Sequence, residues 1–276
     1  MKFATYLYRN QTHIGEVMGA AIYRLATLDP LEHVIRRGVI PTRSSDRLPL
    51  DEVTLIRPLR PGKIICIGRN YAAHAAETGS EVPKAPLIFA KFPSAVIGPN
   101  ETITWDESIT KEVDWEGELG VVIGQRARNV SEDDAYQYVF GYTIGNDVSA
   151  RDLQLRTDGQ WTRGKSLDTF CPLGPWIVTP DEVPDPHNLT VKTVVNDDVR
   201  QDGHTKDMIF KVPTLIAYCS RMFTLEPGDV ILTGTPPGVG EGRDPKLFLK
   251  DGDTVAISIS GLGELTNPCR VVKAAE

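Results

Sequence analysis

Glu116 and Glu118 lie in the stretch Val113-Asp114-Trp115-Glu116-Gly117-Glu118-Leu119-Gly120-Val121-Val122-Ile123-Gly124. Its second half is apolar and β-branched, which predicts a buried strand. Side chains alternate along a strand, so the two glutamates face the same way. Two carboxylates ~4 Å apart repel by about 4 kcal/mol at an effective dielectric near 20. A cation, a shared proton or a basic partner must offset that repulsion. The plain alternative is an exposed strand end on which both acids are solvated.

Asp147 follows another apolar run, in Asn146-Asp147-Val148-Ser149-Ala150-Arg151-Asp152. Three carboxylates with waters would suit Mg²⁺, Mn²⁺ or Ca²⁺ and not a soft metal. Spacing alone leaves open whether Asp147 meets the glutamates, because an Asp in a polar turn often only bends the chain. His74 and Glu77 are three apart in a helix-prone run and share a face. A carboxylate beside an imidazole raises its basicity and orients it, which is the arrangement of a general base; an ordinary surface pair is the alternative. Lys165, in Arg163-Gly164-Lys165-Ser166, would stabilise developing negative charge if it stood beside a metal, and would otherwise be solvated. Arg151 and Gln154 are three apart and would hydrogen-bond a substrate oxygen, with plain exposed polar residues as the alternative. The glycines of Thr233-Gly234-Thr235-Pro236-Pro237-Gly238-Val239-Gly240 allow a close backbone approach. Their N–H groups and the Thr235 hydroxyl would form an anion nest, unless the segment is only a tight turn. It lacks the Gly-Lys-Ser/Thr end of a nucleotide-binding loop.

The elements that must carry these residues read as many short strands. Residues 1 to 60 form a β-rich unit, with strands Phe3 to Tyr8 and Ile14 to Met18 and a short helix from Pro30 to Arg37 that ends at Gly38. Thr42 to Arg47 reads as a polar loop. Pro58 and Pro61-Gly62 mark a boundary, leaving 61–276 as the larger domain. Lys63 to Gly68 is a buried strand, Asn70 an N-cap, and Ala72 to Glu77 a helix closed by Gly79. With the polar loop Ser80 to Pro86, that helix has the makings of a lid. Ser131 to Asp134 resembles a capping box opening a helix through Tyr138, and Pro213 to Phe223 is a second apolar helix. Further strands fall at Leu87 to Lys91, Tyr142 to Ile144, Trp176 to Thr179, Thr190 to Val195, Val230 to Leu232 and Thr254 to Ser260. The fold class is mostly β (α+β), a roll or sandwich with few helices.

Composition narrows the function. A chain of 276 residues, 41% of them hydrophobic, can bury a large core. A net charge of −7 argues against nucleic acid as a partner. No apolar run is long enough to span a membrane, and the first residues show no signal-peptide pattern, so a cytoplasmic location is expected. Cys66, Cys171, Cys219 and Cys269 are scattered, and the five histidines show no zinc-ligand spacing. Any metal site must be built mainly from oxygen.

Five motifs in order resemble the fumarylacetoacetate hydrolase family. They are Gly68-Arg69-Asn70-Tyr71 with His74 and Glu77; Asp114 to Leu119; Asn146 to Asp152; Arg163 to Asp168; and Leu232-Thr233-Gly234-Thr235-Pro236. The likeness covers about Lys63 to Val272. It implies that Glu116, Glu118 and Asp147 ligate one Mg²⁺ or Mn²⁺, that His74 and Glu77 form a catalytic pair on a lid, and that Lys165 stands near the metal. Arg69, Tyr71, Arg151, Gln154 and Thr235 are expected to contact substrate. It also implies a mixed β-sandwich roll and a homodimer. Asn70-Tyr71 occupies the neighbourhood where some relatives add a further acidic ligand, so water is expected there. The chain resembles the small acylpyruvate hydrolase and oxaloacetate decarboxylase branch more than the longer hydrolase that names the family; that branch also contains hydroxy-diene-dioate isomerases. The expected reaction is cleavage of a C–C bond in a 2-oxo or 2,4-dioxo acid through a metal-bound enolate. The alternatives are a 2-hydroxyhepta-2,4-diene-1,7-dioate-type isomerase and a non-catalytic metal-binding scaffold.

Overall fold

A computed structural model describes residues 1–273, so the last three residues of the expected larger domain lie outside the described ones. Gly117–Ile123 is the central strand, and every residue in it is buried. Its apolar run is continuous, not alternating, because both faces are covered. One face packs Leu119, Val121 and Ile123 against a five-stranded sheet that contributes Val191, Val255, Ile257 and Leu265. The other face packs Val122 with Ile64, Cys66 and Val230 under the helix Leu31–Arg37, through Leu31, Val34 and Ile35. Full burial of each such Leu, Ile or Val side chain contributes roughly 1.5–3 kcal/mol.

The larger sheet is mixed. From one edge it runs Arg43–Pro49, Ala21–Leu25, Gln11–Met18, Lys2–Tyr8, Cys171–Val178, Val139–Asn146, Gly117–Ile123, Val230–Leu232, Ile64–Gly68 and Leu87–Lys91. Val230–Leu232 runs parallel to Ile64–Gly68; the other pairings along that path are antiparallel. The second sheet contains Asp198–His204, Thr190–Val195, Thr254–Ile259, Gly263–Val271 and Ile103–Trp105. Thr254–Ile259 buries every second residue, as expected for a strand with one face on the core. The mostly-β sandwich roll expected from sequence is the observed architecture.

Three local expectations differ. Arg43–Pro49, read as part of a loop, is an edge strand paired with Ala21–Leu25. An edge strand has one neighbour and exposes much of its surface, so its polar composition hides it. Asn70 does not cap the helix Ala72–Glu77; Tyr71 holds that position. The Asn70 amide instead donates to the Phe210 and Thr233 carbonyls and accepts from Phe210 N, stitching three segments together. Ser131 Oγ does accept from Asp134 N at 3.2 Å, but only a 3₁₀ turn, Ala135–Tyr138, follows.

Candidate metal centre

Register brings the acids together. In the antiparallel pair Gly117–Ile123 and Val139–Asn146, Gly117 lies opposite Asn146. The next rung outward therefore sets Glu116 against Asp147, and Asp147 N donates to the Glu116 carbonyl at 2.9 Å. The Asn146 side chain accepts from Glu116 N at 3.0 Å, which holds the strand end in place. One oxygen from each of Glu116, Glu118 and Asp147 lies within 4.8 Å of the others, and all three side chains are buried. Gly117 between the glutamates is required by space: a Cβ there would lie 2.5 Å from Thr193 Oγ1.

Three buried cations surround the trio. Lys165 Nζ donates to Glu116 Oε2 at 2.7 Å and to Asp147 Oδ2 at 2.9 Å. Lys91 Nζ donates to Asp147 Oδ1 at 2.7 Å and to the Val148 carbonyl. Arg151 donates to Glu116 Oε1 at 2.6 Å, to Asp114 Oδ2 at 2.8 Å and to Gln154 Oε1 at 2.9 Å. Burial pushes the Glu116 carboxyl up, but Lys165 and Arg151 outweigh it and hold the group well below its ordinary value. Glu118 behaves oppositely. Burial, then Asp147 and Glu116, push it well up; Lys165 and the Gly234 N–H only partly compensate. Among the described residues Glu118 has no ion pair; it accepts from Gly234 N at 2.8 Å. Beside it the Tyr71 hydroxyl is buried without a partner, its pKa raised by burial and then by Glu118. Hard oxygen donors, one carboxylate lacking a cation and an orphaned hydroxyl fit a hydrated Mg²⁺ or Mn²⁺. Glu116 and Asp147 would share it with Glu118.

His74 Nδ1 lies 2.8 Å from Glu77 Oε1, and Glu77 Oε2 accepts from Gly238 N at 2.7 Å. The pair is thereby tied to the glycine-rich segment. A cleft of about 90 Å³ joins His74 to Glu116 and Glu118, with Arg69, Gln154, Lys165 and Thr235 also in its walls. Arg69 has a φ of +55° and its guanidinium stacks on Trp161, 5.2 Å from the ring centroid.

Thr233–Gly240 does not present its amides to the cleft as expected. Gly234 N donates to Glu118, Gly238 N to Glu77 and Gly240 N to Asp114, so the nest holds the protein's own carboxylates. The Thr235 hydroxyl donates to the Gly117 carbonyl and accepts from Gln201 Nε2. Arg151 has its donors on Asp114, Glu116 and Gln154, so it positions Glu116. Tyr71 is buried and is not among the cleft-lining residues. Sequence reasoning missed Lys91, Asp114 and Gln201. Lys91 had one signal: a lysine ending an apolar strand must find a carboxylate if the strand is buried.

The model of the fumarylacetoacetate hydrolase C-terminal family matches residues 63–271. The chain belongs to the fumarylacetoacetate hydrolase family. It is 43% identical over 273 residues to the mitochondrial oxaloacetate tautomerase Fahd2a of Rattus norvegicus, covering 93% of this chain and 87% of that one. A fumarylacetoacetate hydrolase from Exiguobacterium antarcticum superposes with a TM-score of 0.91 at 41% identity, covering 99% of this chain and 100% of that one. The maleylpyruvate hydrolase of Sphingobium sp. SYK-6, solved with manganese(II) and pyruvate, has a TM-score of 0.82 at 34% identity, with coverage of 99% and 100%. These family members are enzymes named for chemistry on small keto acids.

Proposed function

We propose that the chain is a Mg²⁺- or Mn²⁺-dependent enzyme acting on a small 2-oxo acid, with keto–enol tautomerisation of oxaloacetate as its first reaction. The buried trio of Glu116, Glu118 and Asp147, with Lys165 bridging Glu116 and Asp147, carries this reading. Bound there, the ion would supply Lewis-acid polarisation of the substrate's oxo group. Glu77 fixes the His74 tautomer with Nδ1–H toward the carboxylate, leaving Nε2 as the base that moves a proton at the carbon beside that group. Lys165 donates a hydrogen bond to oxygen on which negative charge grows. Arg69 and Gln154 hold the far end of the acid, and Thr235 shapes the wall between them. Tyr71 adds its buried hydroxyl to the polar surroundings of Glu118, and Arg151 keeps Glu116 in place.

C–C cleavage is the second reading, favoured by the His74–Glu77 pair, which would equally take a proton from attacking water. The named chemistry of the Sphingobium relative supports it. Against a scaffold role stands a base beside a cleft that reaches the acids. The family match begins at residue 63, which supports an N-terminal unit over 1–60 distinct from the family's domain in sequence; its strands nonetheless extend that domain's sheet, Lys2–Tyr8 pairing with Cys171–Val178. We further propose a homodimer in a reducing compartment such as the cytoplasm, in keeping with four buried free cysteines. No helix among the described residues is long and apolar enough to cross a membrane. The deciding experiment follows oxaloacetate enol–keto conversion and acylpyruvate cleavage with Mg²⁺, with Mn²⁺ and after chelation. Metal-dependent turnover of either substrate is expected, and inertness toward both would sink the reading.

A further inference from the structure

The first hairpin carries a polar cluster that the metal centre does not use. Lys2–Tyr8 and Gln11–Met18 pair with Tyr6 directly opposite His13. Their rings lie 5.5 Å apart between centroids. Two residues along the same face, Gly15 stands opposite Arg24 of the third strand. Arg24 therefore rises beside the Tyr6–His13 pair. Tyr6 is 0% exposed and His13 8% exposed, yet Tyr6 Oη and His13 Nδ1 have no hydrogen-bond partner among the described residues. Unpaired buried polar atoms are unfavourable and rare in native folds. Two such atoms lie on one rung, at the wall of one cavity.

That cavity has a volume of about 540 Å³ and shares no lining residue with the metal cleft. Arg9, Arg24 and Arg47 line it against a single acid, Asp46, which lies 3.5 Å from Arg24. Arg9 stacks on Tyr8 and Arg47 on Tyr23, and among the described residues neither is paired with a carboxylate. The excess of positive charge is notable on a chain of net charge −7. Burial, then the Arg24 charge, hold the His13 imidazole below its ordinary value, so the ring is neutral and offers a donor or an acceptor.

We propose that this cavity is a second binding site, for a small oxyanion carrying two negative charges. Tyr6 Oη and the Arg24 guanidinium would contact it, with Arg9 at the rim. Guanidinium forks match carboxylate and phosphate geometry alike, so both a dicarboxylate and a phosphate carry the required chemistry.

The test is calorimetric titration of the full, metal-loaded chain with succinate and, separately, with inorganic phosphate. Three variants accompany it: Tyr6→Phe, Arg24→Gln and Glu116→Gln. Saturable binding is expected for at least one probe; succinate alone would mark a carboxylate site and phosphate alone a phosphate site. Tyr6→Phe, which removes one oxygen, should weaken that binding by about tenfold. Arg24→Gln should weaken it at least as much, and Glu116→Gln should leave it intact. Should Arg24→Gln fail to fold, Tyr6→Phe decides alone. Absence of saturable binding by either probe overturns the proposal, as does binding that survives Tyr6→Phe or vanishes only in Glu116→Gln.

Discussion

Lys91 Nζ stands 2.7 Å from Asp147 Oδ1, and both side chains are fully buried. Lys91 ends the strand Leu87–Lys91 at the sheet edge, while Asp147 follows Val139–Asn146, so two separate strands meet at this ion pair. Breaking a buried pair from one side leaves an uncompensated charge and costs about 3–5 kcal/mol. Lys91→Met should therefore lower the urea-unfolding stability of the metal-free protein by that amount. A divalent ion, supplying charge to Asp147, should restore part of it. A loss below about 1 kcal/mol, as for a surface pair, would show that the contact does not hold the centre together.

The acidic trio should bind one divalent ion per chain, and Glu116→Gln or Asp147→Asn should abolish that binding in a metal titration. Wild-type affinity in either variant would defeat the ligand assignment.

Proton linkage follows from the opposed carboxyls. Glu118 has a folded pKa above its ordinary 4.5, raised by burial and then by Asp147 and Glu116. Its contribution to the metal-free fold is present below that ordinary value and is lost as pH rises through the raised one. Glu116 is shifted downward against burial by Lys165 and Arg151. Its contribution is present above the ordinary value and is lost as pH falls toward the lowered one. A divalent ion takes the place of the Glu118 proton, so its affinity should increase with pH and binding should release a proton. Titrations in two buffers of different ionisation enthalpy measure that release; identical heats would contradict it.

His74 separates the two chemistries. His74→Gln should slow acylpyruvate cleavage by roughly 10²–10⁴-fold if the imidazole activates water. Oxaloacetate tautomerisation should fall by a similar factor only if the same ring moves the carbon-bound proton. Loss of cleavage with tautomerisation intact would assign the latter proton to another group. Full activity in both assays would remove His74 from the mechanism.

Gly240 tests the loop that holds the protein's own acids. A Cβ there would lie 1.7 Å from the Leu247 carbonyl and 2.8 Å from Asp114 Oδ1. Gly240→Ala should cost about 1–3 kcal/mol through overpacking, read as a fall in Tm of roughly 2–4 °C per kcal/mol. An unchanged Tm would mean that the segment adjusts freely and does not lock Asp114.

Much of the centre was legible in the chain because its signals are local. Alternation along one strand puts Glu116 and Glu118 on one face, and helical spacing puts His74 beside Glu77. The apolar runs at Ile64–Gly68 and Gly117–Ile123 announce buried strands wherever they end up. What only the tertiary structure decided is pairing between distant segments. Strand register sets Asp147 against Glu116, and a lysine 56 residues before Asp147 becomes its partner. The Thr233–Gly240 amides could be read as a nest, but not that Glu118, Glu77 and Asp114 would fill it. Spacing within one element is set by backbone geometry; contacts between elements depend on how the whole core closes, and no short stretch of sequence contains that information.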